Sequence, residues 1–245
     1  MLAVLVVSIS SAHKRVLYIG DSITDLGWGN SGGKAIPSAK RNHWDLNHIY
    51  GHSFMMLCAV HYQSEYPDSD YQFYNRGIGG NKLCDMAARW KEDALDIHAD
   101  IVSILIGTND INAYLDSLKT DSQKTFNYKG WEKTYRSLID QLKSNNPKVR
   151  ILVGAPFVAK EGRFCNDSTY TLRLSMINKL DVIVRNIAKD ENLIVLPFDE
   201  MFMDLESHSP RPAYWIWDGI HPTPAGHQRM ANLWIKTATD YHLFD

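Results

Sequence analysis

Val16-Leu17-Tyr18-Ile19-Gly20-Asp21-Ser22-Ile23-Thr24 is the stretch that decides how this chain is read. Its first four residues are a continuous apolar run, the pattern of a strand buried on both faces. A glycine and a polar cluster follow at once. Ser22 therefore stands at the C-terminal end of a first β-strand, Val16–Gly20, the edge at which open α/β sheets bind their ligands.

Working outward, apolar runs alternate with helical patterns. Strands are predicted at Val16–Gly20, Tyr71–Asn75, Ile101–Ile106, Val149–Gly154 and Leu193–Leu196. Helices are predicted over Asn47–Glu65, Lys82–Ala94, Lys129–Ser144, Tyr170–Asp190 and Pro224–Tyr241, the last with Thr223 as N-cap and Pro224 in its first position. Five strands separated by helices imply an α/β fold, a parallel sheet covered on both faces. Irregular stretches are expected at Asp25–Leu46, Ala113–Tyr128, Pro156–Thr169 and Asp199–Trp217. All follow strands, so they crowd the C-terminal edge of the sheet, where long loops shape binding sites.

Three further polar blocks fall in this frame: Asn75-Arg76-Gly77-Ile78-Gly79-Gly80-Asn81, Gly107-Thr108-Asn109-Asp110 and Asp218-Gly219-Ile220-His221-Pro222. A serine hydroxyl is a poor nucleophile without a base. His221 is the candidate base, since a neutral imidazole takes a proton near neutral pH and returns it to a leaving group. Asp218, three residues earlier, is near enough in a turn to hold the imidazole Nδ1–H. Ser22, Asp218 and His221 are thus the candidate catalytic residues. The backbone N–H groups of Ser22 and Gly80 and the side-chain amide of Asn109 are the candidate donors to an oxyanion. Gly79 competes with Gly80 for that role.

These four blocks resemble the GDSL esterases of the SGNH hydrolase superfamily, whose blocks read GDS, a glycine after an Asn-containing strand end, GxND and DxxH. The resemblance runs from residue 16 to about 240. It implies a flavodoxin-like three-layer α/β/α sandwich with a five-stranded parallel sheet. It also implies an esterase in which Ser22 attacks, His221 is the base, Asp218 orients it, and Ser22, Gly80 and Asn109 form the oxyanion hole. Five residues after Asn75 is the usual place of the family's glycine, which selects Gly80. Leu26 departs from the small residue that many relatives carry there. The implied mechanism needs no cofactor or metal.

The chain's 245 residues, with 44% hydrophobic and 22% charged residues, suffice for one large soluble domain. A net charge of −2 without a basic stripe argues against nucleic acid as a partner. Residues 2–9 are apolar and lead into Ser10-Ser11-Ala12, the shape of the end of a secretory signal. Residues 1–12 are therefore read as a signal-peptide remnant, 13–245 as a single hydrolase domain, and the protein as secreted or periplasmic. The apolar run falls far short of the ~20 residues that span a membrane, so no stable insertion is expected. Cys58, Cys84 and Cys165 form no disulfide framework, although one pair could join.

Other motifs lead elsewhere less well. Gly27-Trp28-Gly29-Asn30-Ser31-Gly32 spells G-x-G-x-x-G but opens no helix, because Gly33 and Pro37 follow. His48 and His52 share a helical spacing without an intervening Glu, weak ground for a metal site. Trp28, Trp44, Tyr214, Trp215 and Trp217 cluster in sequence around the two catalytic ends. Aromatic faces suit sugar rings, and core anchoring is the competing role for each. Asp21, Trp28, Trp44 and Trp215 are the candidate substrate-binding residues. The expected activity is hydrolysis of small acyl esters, above all O-acetyl esters, on a small-molecule or oligosaccharide substrate. The alternatives are a lysophospholipase or thioesterase, which a long apolar channel would favour, and an inactive carbohydrate-binding relative.

Overall fold

Alternation within the strands sets the two faces of the sheet. Val16 and Tyr18 of β1 (Arg15–Gly20) point into one apolar core, Leu17 and Ile19 into the other, and all four are fully buried. The same division holds in β3 (Ile101–Leu105), β4 (Arg150–Gly154) and β5 (Ile194–Leu196). With β2 (Gln72–Gly77) they make a five-stranded, wholly parallel sheet in the order β2-β1-β3-β4-β5. The computed structural model describes residues 13–27 and 49–245. The segment 1–12 read as a signal remnant lies outside the described residues, as do Trp28, Trp44 and the predicted helix start at Asn47.

Each core is closed by its own helices. On one face lie α2 (Phe54–Glu65), α8 (Phe198–Ser207) and α9 (Pro224–Asp240). Trp234 of α9 is fully buried there and donates from Nε1 to Ser103 Oγ at 3.2 Å. On the other lie α3 (Leu83–Ala88), α4 (Trp90–Asp93), α5 (Thr108–Ser117), α6 (Tyr128–Asn145) and α7 (Tyr170–Glu191). A one-turn helix, α1 (Ser22–Asp25), follows β1 directly. This is the flavodoxin-like three-layer arrangement. Thr223 caps α9 by accepting from Gly226 N–H at 3.2 Å, with Pro224 in the first turn.

Four helical readings change. The helix expected over Asn47–Glu65 starts only at Phe54, where Ser53 caps it by accepting from Met55 N–H at 3.2 Å, and residues 49–53 form a turn. The segment 82–94 is broken at Arg89, whose guanidinium donates to the carbonyls of Gly20 and Arg76 and to Asn81 and Asp93. α5 begins inside the Gly107-Thr108-Asn109-Asp110 block and ends in a stretch expected to be irregular. Its few apolar anchors, Ile111 and Leu115, hide the helical period. α8 also occupies a stretch read as loop. Phe198, Phe202 and Leu205 recur at i, i+4 and i+7 and are buried, a signal present in the sequence. Cys58 is buried in α2, Cys84 and Cys165 are exposed, and all three are free thiols. Among the described residues, no helix is long and apolar enough to cross a membrane.

Candidate active site

Strand order reverses direction at β1, with β2 on one side and β3 on the other, and this switch point opens a crevice at the C-terminal edge. The loops after β1, β2 and β3 carry Ser22, Gly80 and Asn109 to it. A cleft of about 680 Å³ opens there, lined by Ser22, Gly80, Asn109, Arg163 and His221 among others.

Ser22 is presented by α1. Asp21 caps that turn, its Oδ1 accepting from Ile23 N–H at 2.9 Å. Asn75, buried within β2, donates from Nδ2 to the carbonyls of Thr24 and Tyr50, each at 2.9 Å, and accepts from Gly77 N–H at 2.9 Å. Its bond to Thr24 O satisfies a helix-end carbonyl that a one-turn helix leaves open. Gly77 has to be a glycine: a Cβ there would stand 2.3 Å from Asp25 N.

Three side chains from the two ends of the chain meet in a line. Ser22 Oγ lies 2.8 Å from His221 Nε2, and His221 Nδ1 lies 2.8 Å from Asp218 Oδ2. The other oxygen, Asp218 Oδ1, accepts from the backbone N–H groups of Ile220 at 3.0 Å and His221 at 2.8 Å. Burial alone would raise the Asp218 pKa. Donation from the His221 side chain and backbone, from Arg163 and from Ile220 N–H outweighs it and holds the carboxyl well below the usual range. A hydroxyl, an imidazole and a carboxylate so joined have the geometry of nucleophilic acyl transfer.

The proposed oxyanion donors border the same cleft. Neither the Ser22 nor the Gly80 N–H donates to any partner among the described residues. Gly79 differs, because its N–H is committed to Asp25 Oδ2 at 2.8 Å, which favours Gly80. Asn109 leans on Asn81 O at 3.3 Å, leaving its second amide hydrogen available. Beneath it the buried Asp110 accepts from Leu83 N–H and from Trp131 Nε1, tying α5 to α3 and α6.

The expected substrate-binding residues fare differently. Asp21 is buried, does not line the cleft, and spends its carboxylate capping α1; burial raises its pKa to about 6 against the opposing Ile23 N–H and His221. Trp215 packs against the core and edge-on to Tyr214 at 4.7 Å, away from the cleft lining. Trp217 is the aromatic beside the site, 57% exposed and stacked 6.3 Å from the His221 ring. Trp28 and Trp44 lie outside the described residues. Arg163, Asn112 and Arg173 line the cleft as well; Arg163 and Arg173 arrive from a distant loop and helix with no local sequence signal, while Asn112 stands one turn after Asn109 on α5, an i, i+3 spacing that the sequence shows.

Comparison with known proteins agrees with this arrangement. Residues 18–229 match the model of the GDSL-like Lipase/Acylhydrolase family. An acetylxylan esterase of Geobacillus stearothermophilus is 30% identical over 224 residues, covering 91% of this chain and 93% of the relative. Its crystal structure superposes with a TM-score of 0.72 at 28% identity, over 91% of this chain and 93% of that one. Structures of that esterase include catalytic mutants at a serine, an aspartate and a histidine. A Parabacteroides merdae protein described as a GDSL-like lipase superposes with a TM-score of 0.78 at 28% identity, over 92% of this chain and 95% of that one. With the family model spanning most of its length, this chain belongs to the GDSL-like lipase/acylhydrolase family and is a carboxylic ester hydrolase.

Proposed function

We propose that the enzyme removes small acyl groups, above all acetyl, from carbohydrate through an acyl-enzyme on Ser22. Ser22 Oγ attacks the ester carbonyl while His221 Nε2, 2.8 Å away, takes its proton. Asp218 fixes the tautomer and stabilises the imidazolium. The N–H groups of Ser22 and Gly80 and the Asn109 amide receive the oxyanion, each such donor being worth about 10²–10³ in rate. His221 returns the proton to the departing alcohol. Water then attacks the acyl-enzyme with the same groups in the same roles, releasing the acid and restoring Ser22.

The lining of the cleft carries the substrate reading. Asp25, Asn109, Asn112, Asp116, Arg163 and Arg173 give it a polar wall, and among the described residues only Leu26, Phe164 and Ile220 bring large apolar side chains. Such a wall suits the hydroxyls of a sugar better than an acyl chain. The similarity to an acetylxylan esterase supports the same choice. Secretion or a periplasmic location belongs to this reading, since a polymeric carbohydrate is met outside the cell. The test is acetate release from acetylated oligosaccharides, beside acetyl and long-chain model esters, for the parent and Ser22→Ala. Acetate release that disappears with Ser22→Ala is expected. Ser22-dependent cleavage of long-chain esters alone would move the enzyme to the lysophospholipase or thioesterase alternative. Activity surviving in Ser22→Ala would remove the serine mechanism. An inactive parent that binds sugar would make it a carbohydrate-binding relative.

A further inference from the structure

The loop between β4 and α7 brings a guanidinium to the far side of the Asp218 carboxylate. Arg163 Nη2 donates to Asp218 Oδ2, the oxygen that also accepts from His221 Nδ1. The carboxylate side chain is 6% exposed and the arginine 53%, so one end of the pair is buried in the site and the other faces the cleft. We infer that Arg163 is a positioning residue that sets the acidic limit of the reaction by sharing Asp218 with His221. This rests on the Ser22–His221–Asp218 mechanism proposed above.

The arginine is held there by packing. Gly162 presses its backbone against the turn that carries Asp218: a Cβ at Gly162 would stand 2.4 Å from Asp218 Cα. Ala159 N–H donates to Gly219 O at 2.9 Å, pinning the two loops together. Phe164, buried beside it, lies under the Arg173 guanidinium at 4.3 Å from the ring centre, and Arg173 is anchored by Asn112 and Asp167. The loop therefore meets the catalytic turn as a preformed wall.

The consequence is electrostatic. The groups facing His221 are Asp218 in its own turn, Arg163 from the β4–α7 loop, Asp21 and Asp25 beside α1, and the buried His227 of α9. A carboxylate that already neutralises a guanidinium stabilises an imidazolium less than a solitary one. Removing the guanidinium leaves the whole carboxylate to the imidazolium, so the acidic limb of the kcat/KM profile is expected to move up.

The experiment is the kcat/KM–pH profile of the parent, Arg163→Gln and Arg163→Lys on an acetyl ester, with thermal melting of each. Ser22→Ala is run first: if it keeps the parent's activity, the underlying mechanism is overturned and the inference about Arg163 with it, whereas a failure of Arg163 alone leaves the Ser22 dependence intact. With activity dependent on Ser22, Arg163→Gln is expected to raise the midpoint of the acidic limb by about one pH unit. Its plateau is expected to fall several-fold. Arg163→Lys keeps the charge and is expected to return the limb toward the parent. A limb in Arg163→Gln that superimposes on the parent's, with or without a lower melting temperature, overturns the inference and leaves a structural tie. A limb in Arg163→Lys displaced as far as in Arg163→Gln overturns it as well.

Discussion

Asn75 Nδ2 lies 2.9 Å from the carbonyl oxygen of Thr24, so strand β2 holds the helical turn that presents Ser22 at the end of its neighbour β1. The same amide reaches Tyr50 O at 2.9 Å, and its oxygen binds Gly77 N–H. One buried side chain thus ties β2, α1 and the approach to α2.

Replacing Asn75 by Ala strands the carbonyls of Thr24 and Tyr50 in a dry site. A loss of about 1–3 kcal/mol of stability is expected from an unsatisfied buried polar group. The displaced turn should lower kcat more than it raises KM. Urea denaturation beside steady-state kinetics measures both, and a destabilised variant with parental kcat would separate Asn75 from the positioning of Ser22.

Asn109→Ala tests the oxyanion site without touching the Ser22–His221 contact. Loss of a donor used in the transition state should reduce kcat about 10²–10³-fold with KM altered little. A rise in KM at constant kcat would make Asn109 a ground-state contact instead.

Asp110 supplies a pH dependence of stability. Burial raises its pKa from 3.8 to about 7, against the opposing bonds from Leu83 N–H and Trp131. The folded state therefore keeps a proton that the unfolded chain loses above pH 3.8, and this contribution to stability disappears as pH rises through about 7. Asp110→Asn has no proton to lose. Its stability relative to the parent should increase between pH 4 and pH 8, which denaturant midpoints across that range would reveal. A constant difference across the range would place the proton elsewhere.

Arg89 anchors the C-terminal ends of β1 and β2. It donates to Gly20 O at 3.1 Å and Arg76 O at 2.8 Å, and pairs with the buried Asp93 at 2.6 Å. Removing one partner of a buried pair costs about 3–5 kcal/mol, and Arg76 Nε, 3.6 Å from Asp93, keeps the loss toward the lower end. Arg89→Ala should lower the melting temperature by roughly 10 °C, the shift expected for that loss in a chain of this size. A change of only a degree or two would mean that water replaces the guanidinium.

Much of this molecule was readable in the order of its residues. The central strands announce themselves because a strand buried on both faces is almost wholly apolar, as Val16–Ile19 and, but for Ser103, Ile101–Ile106 are. Asp218 and His221 were readable as a pair because three residues within a turn keep them adjacent whatever the rest of the chain does. Helix α8 carries its signal in the apolar period of Phe198, Phe202 and Leu205, which is short and lies between Pro197 and a polar loop. Tertiary structure decided the rest. The choice of Gly80 over Gly79 depends on Asp25 capturing the Gly79 N–H. Asp21 and Trp215 left the substrate wall because one caps a helix and the other packs on the core. Arg163 stands 55 residues from Asp218, and no local pattern foretells that a loop after β4 will fold against the turn that carries Asp218. Sequence spacing specifies contacts within a turn or a strand; contacts between loops depend on where the sheet delivers their ends, which only the closed fold determines.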